Sequence, residues 1–130
     1  MARLTQDELL HVFHTLKNEL KSYEKGPVKA RFDMEGKYEL VSEKENIVAL
    51  GKSRKEMDFS ALIIQSGYVG FYFMPIYCSD AIRLQLSSNL LKLLKGKSCF
   101  HIKAVDDALL TDIRHALKVG FEGYKKLGWV

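Results

Sequence analysis

Two prolines in 130 residues leave no room for a Pro-rich linker, and a chain 47% hydrophobic and 28% charged is far from a disordered composition. No apolar run approaches the roughly 20 residues that cross a bilayer, so no membrane segment is expected. Cys78 and Cys99 are too few for a disulfide scaffold or a zinc cage and too far apart for a CxxC motif. They read as two buried thiols. Gly36, Gly51, Gly67, Gly70 and Gly96 never assemble into GxGxxG or a Walker loop, so no nucleotide cofactor is implied. Charge of one sign is also scarce: 20 Lys and Arg against 16 Asp and Glu leave +4. Lys17, Lys21 and Lys25 form an i, i+4 row, which is an ordinary solvated face, and the spread of the rest argues against nucleic acid. His11 and His14, at i, i+3, have no third ligand beside them, and no metal is expected there. The N-terminal stretch turns polar and acidic at Thr5-Gln6-Asp7-Glu8, where a signal peptide would be apolar, and a cytoplasmic location is expected.

What the chain does have is one aromatic run, Tyr68-Val69-Gly70-Phe71-Tyr72-Phe73-Met74-Pro75-Ile76-Tyr77. As a strand it points Val69, Phe71 and Phe73 one way and Tyr68, Gly70, Tyr72 and Met74 the other. Both sides are apolar or aromatic. One can fill a core, and the other needs a cover: a helix, a second subunit or a ligand.

The flanking elements assign themselves by period. Thr5-Gln6-Asp7-Glu8 is a capping box, followed by Leu9, Val12, Phe13, Leu16, Leu20 and Tyr23 at helical spacing up to Gly26-Pro27. Val28, Ala30, Phe32 and Met34 alternate as a half-buried strand, turned at Glu35-Gly36 into residues 37–41. Residues 43–58 fit either a short strand or a loop. Residues 59–65 form a buried strand joined to the aromatic run through Ser66-Gly67. Pro75 ends the pairing, Ser79 or Asp80 caps a helical stretch, and Ser88 restarts one through Leu90, Leu91, Leu93 and Leu94 to Gly96. Residues 97–103 make another strand. Asp106 caps a last helix whose buried stripe is Leu109, Ile113, Ala116, Leu117, Gly120, Tyr124 and Leu127. Gly120 costs helix propensity and marks a close approach of helix to sheet. Trp129, in an apolar chain end, is expected to dock. The sum is a single α+β domain over residues 1–130: an antiparallel sheet of about five to six strands with N- and C-terminal helices packed on one face.

Residues 61–77 with their Met-Pro-Ile-Tyr ending, residues 96–103, and the terminal residues 120–130 resemble the YdhG-like family of domains of unknown function, described as frataxin-like. The resemblance implies a frataxin-like α+β fold and little chemistry. It also implies iron donation for iron–sulfur cluster assembly, which would need an acidic ridge on the first helix. Asp7, Glu8, Glu19 and Glu24 alternate there with Lys17, Lys21 and Lys25, so that face is mixed.

Two candidate sites remain. Cys99 and His101, at i, i+2 on a strand, share a face, and a histidine can activate a thiol, although no orienting third group or oxyanion donor accompanies them. Buried thiol and strand histidine is the simpler assignment. The second candidate is the face of Tyr68, Tyr72 and Met74, joined by Cys99 and His101, which suits a core, a homodimer or protein-partner surface, or a small-molecule pocket. The expectation is a binding or interaction module rather than an enzyme.

Overall fold

The chain enters its first helix through Thr5. The Thr5 hydroxyl accepts from the Glu8 amide at 3.1 Å, and the Glu8 carboxylate accepts from the Thr5 amide at 2.9 Å. This closes the capping box of α1, Gln6–Lys21. The structure, a computed structural model, describes residues 4–130; residues 1–3, the start of the N-terminal stretch read above, lie outside the described residues. Leu9, Val12, Phe13, Leu16 and Leu20 form the buried stripe of α1. Tyr23 lies beyond the helix, as does Lys25, so the lysine row is broken; Tyr23 still sets its ring edge-on to Phe121 at 5.2 Å.

β1, Val28–Met34, pairs with β2, Lys37–Ser42, around Gly36 at φ +85°. Here the expected alternation fails. Ala30 pairs with Leu40 but Phe32 pairs with Glu39, so Arg31 is an extra residue in β1. A bulge restarts the side-chain alternation out of phase. Phe32 and Met34 therefore leave the side of Val28 and join that of Glu39. Residues 43–58 resolve into a hairpin of β3, Ile47–Ala49, and β4, Lys52–Arg54. Leu50 and Gly51 both take positive φ, the signature of a type I′ turn.

β5, Met57–Gln65, turns through Gly67 into β6, Tyr68–Phe73. Three one-turn helices follow: α2, Pro75–Cys78; α3, Asp80–Arg83, capped by Ser79; and α4, Ser88–Leu91, capped by Ser87. The helix expected to include Leu94 ends earlier, because Leu94–Lys95 pair with the next strand as β7. β8, Cys99–Ile102, leads to α5, Asp107–Leu127, where the Asp106 carboxylate accepts from the Leu109 amide at 2.8 Å.

The main sheet runs β1-β2-β5-β6-β8-β7, antiparallel throughout. This is an α+β fold: a six-stranded antiparallel sheet with N- and C-terminal helices on one face. Phe13, Leu16, Leu40, Leu62, Phe71, Phe73, Phe100, Ile113 and Leu117 fill the layer between, all without exposure. Gly120 does mark the close approach: a Cβ there would stand 2.5 Å from the Phe73 ring and 2.9 Å from Pro75. The α5 stripe needs one correction. Leu127 is 51% exposed and Phe121 is buried in its stead. The left-handed Gly128 turns the chain so that Trp129 docks, its indole N–H donating to the Val48 carbonyl at 3.0 Å.

An open aromatic sheet face as candidate functional site

Alternation along β6 sends Val69, Phe71 and Phe73 into the helix-covered core. Tyr68 and Tyr72 point to the opposite side and are half-buried. α1 reaches β5 and β6 from the core side, and α2, α3 and α4 pack against α5. Among the described residues no helix packs over the second face, where Tyr68 and Tyr72 stay half-buried.

Pairing register assembles the site. Tyr72 stands opposite Cys99, and Gly70 opposite His101. Because residue 70 has no side chain, the Tyr72 ring leans across it; a Cβ there would meet that ring at 2.9 Å. The Tyr72 hydroxyl accepts from Gln65 Nε2 at 3.2 Å. Burial pushes the Tyr72 phenol pKa up, and the neighbouring Cys99 adds to the shift. His101 lies flat against Tyr68, ring centroids 3.8 Å apart and planes 12° from parallel. Tyr68, Tyr72, Cys99 and His101 thus come together as the sequence pattern predicted.

Met74 does not belong to the strand. It stands at the start of α2 and packs partly against the core. It rejoins Tyr72, Ala61 and Ile63 around a notch of about 210 Å³, below the roughly 300 Å³ at which ligand pockets begin.

The thiol chemistry considered for Cys99 does not form. His101 is committed to Tyr68, and the Cys99 Sγ–H points to the Phe100 carbonyl at 3.9 Å. Burial pushes the thiol pKa up, with the Tyr72 hydroxyl opposing only in part, so the nucleophilic thiolate is disfavoured. Both thiols, expected to be buried, are only half-buried, and partial burial likewise pushes the Cys78 thiol pKa up.

Other residues of this face had no signal in the sequence. The bulge at Arg31 brings Phe32 onto it, with the Lys37 ammonium 3.9 Å from the Phe32 ring centre. Arg31 itself holds Glu39 and Glu56 by direct hydrogen bonds and Asp58 at 3.6 Å. At the other edge a cleft of about 540 Å³ opens between α4, β7, β8 and the start of α5, with Lys92, Lys95, His101 and Lys103 on its walls beside Asp106 and Asp112. No protein-family model, curated protein or solved structure matches the chain.

Proposed function

We propose that this chain is a binding module without catalytic chemistry of its own, and that its recognition surface is the open sheet face carrying Tyr68, Tyr72, Cys99 and His101. The observation that carries this reading is the missing cover: a six-stranded sheet buries one side under two helices and leaves aromatic rings half-exposed on the other. Rings already fixed by stacking and by the Gln65 hydrogen bond lose little freedom on binding, which favours their use as anchors. A YdhG-like, frataxin-like domain in the cytoplasm is part of the same proposal. It is supported by the aromatic run with its Met-Pro-Ile-Tyr ending and by the unpaired state of Cys78 and Cys99.

Small-molecule binding is a second reading, favoured by the 540 Å³ cleft, which lies within the range of ligand pockets and shares His101 with the open face. The iron reading has less to stand on. Glu8 closes the capping box, Glu19 binds Arg114 at 2.7 Å, and Glu24 accepts from the Tyr38 hydroxyl at 2.6 Å. Among the described residues no group of three or more His, Cys, Asp or Glu is arranged to hold a metal.

Amide shift mapping with a small-fragment library tests the proposal. Shifts centred on Tyr68, Tyr72 and His101 support the open face. Shifts confined to Lys92, Lys103 and Asp112 transfer the function to the cleft, and binding at neither place by the monomeric chain removes both readings.

A further inference from the structure

Resting on that reading of the open face, we infer that its occupant is a second copy of this chain, packed sheet to sheet about a twofold axis that runs along β6 at Tyr72. One row of strand register has the required symmetry. Pairing aligns Glu39, Ala61, Tyr72, Cys99 and Lys95 across β2, β5, β6, β8 and β7. In order these are acid, small residue, aromatic, small residue, base. Strands stand about 4.8 Å apart, so Glu39 and Lys95 each lie about 10 Å from Tyr72, on opposite sides. A twofold axis parallel to the strands at Tyr72 lays Glu39 over Lys95 of the second copy, Ala61 over Cys99, and Tyr72 against Tyr72. Sheets pack in this way with strands nearly aligned and about 10 Å between layers. An axis across the strands would instead set each charge against itself.

Beyond Glu39 and Lys95 the charges around the row are mixed, with Lys37 beside Phe32 at the acid end. Arg31 alone serves Glu39, Glu56 and Asp58, with Lys29 and Arg54 flanking but forming no ion pair with them. At the other end Lys92, Lys95 and Lys103 gather on the cleft, where Asp112 opposes them and Asp106 is engaged in capping α5. Association through the sheet edges is blocked on both sides: β7 has two residues, and β1 carries Lys29 and the bulge at Arg31. That leaves the face. With the axis on β6 the two sheets overlap only from β2 to β7, and β1 with Phe32 overhangs; five strands averaging about five residues give a plan of roughly 400 Å² per copy, below standard interfaces, so a weak, reversible dimer is expected.

Sedimentation equilibrium from about 5 to 500 µM tests this, a range that brackets micromolar dissociation constants. Expected is a monomer–dimer equilibrium weakened by salt. Tyr72→Lys places two ammonium groups on the axis and gives a monomer. Ala61→Glu and Cys99→Lys each weaken association about tenfold, and the double variant restores it, because each new acid faces a new base. Thermal unfolding checks that every variant is folded; should a sheet substitution disturb folding, Lys95→Glu on the exposed edge sets acid against acid and also weakens the dimer. A wild-type chain that stays monomeric, a dimer indifferent to Tyr72→Lys, or a double variant no better than the single ones overturns the second copy. A monomer whose fragment shifts still centre on Tyr68 and Tyr72 overturns the second copy alone, whereas absent or displaced shifts remove the open-face reading beneath it.

Discussion

The ring of Tyr68 lies on the imidazole of His101 at 3.8 Å, a diagonal stack between β6 and β8 over the side that no helix covers. Such pairs contribute about 0.5 to 1.5 kcal/mol beyond area burial. Tyr68→Ala should lower unfolding stability by at least that amount in a denaturant titration, since it also removes the ring's buried area, while Tyr68→Phe, which keeps the ring, should cost little. A Phe variant as weak as the Ala variant would show that the hydroxyl, not the stack, stabilises this corner.

Two glycines of α5 should respond oppositely to alanine. Each gains about 1 kcal/mol of helix propensity. At Gly120 the new methyl meets the Phe73 ring at 2.5 Å and Pro75 at 2.9 Å, both locked in the core. Overpacking of that kind costs about 1 to 3 kcal/mol, so Gly120→Ala should be net destabilising. At Gly123 the obstacle is the terminal Cδ1 of Ile82 at 2.7 Å, the far end of a flexible side chain. Gly123→Ala should leave the melting temperature unchanged or raise it. Equal losses at both positions would refute the distinction.

The capping box, the Gly120 contact and the two-sided character of β6 were legible because each is local: a spacing of three residues, a missing Cβ, a period of two. The bulge at Arg31 was not. An extra residue in a strand is defined only against its partner, and nothing between Val28 and Met34 announces that Phe32 will face Glu39 rather than follow Ala30. The same holds for the row from Glu39 to Lys95, which joins five strands separated by loops and helices. Lys95 itself was hidden, because the leucines before it have helical spacing and only pairing with β8 makes Leu94 and Lys95 extended. Alternation along single strands thus placed the aromatic centre of the site, and the inter-strand register that gives the site its charged ends had no sequence signal.

The chain end should behave as part of the core. Trp129 is 7% exposed, stands edge-on to Tyr124 at 4.9 Å, and its carbonyl accepts from the fully buried Ser42 hydroxyl. As the one tryptophan in the chain it reports on this contact directly. Its emission should be blue-shifted in the native protein and move to the red on unfolding. Ser42→Ala leaves the carbonyl without its donor and should cost about 1 to 3 kcal/mol. Native emission typical of water-exposed indole would contradict the docking.

Asp58 should impose a falling arm on the pH–stability curve. Burial raises its carboxyl pKa from the ordinary 3.8, with Arg31 at 3.6 Å opposing the shift and Glu39 and Glu56 adding to it. Between the unfolded value and the raised native one, the folded chain holds a proton that the unfolded chain has released, so stability decreases as pH rises through that window and then stays lower. Asp33 acts in the opposite sense: its hydrogen bond from Lys17 lowers its pKa, and that contribution is lost as pH falls. Subtracting the curve of Asp58→Asn from that of the wild type separates the two. The difference should decline from about pH 3.8 upward and level off, because the amide has no proton to release. The side chain of Asp58 is 55% exposed, so solvent screening keeps the effect modest. A difference curve that rises with pH would mean that the Arg31 ion pair outweighs the burial of the carboxylate.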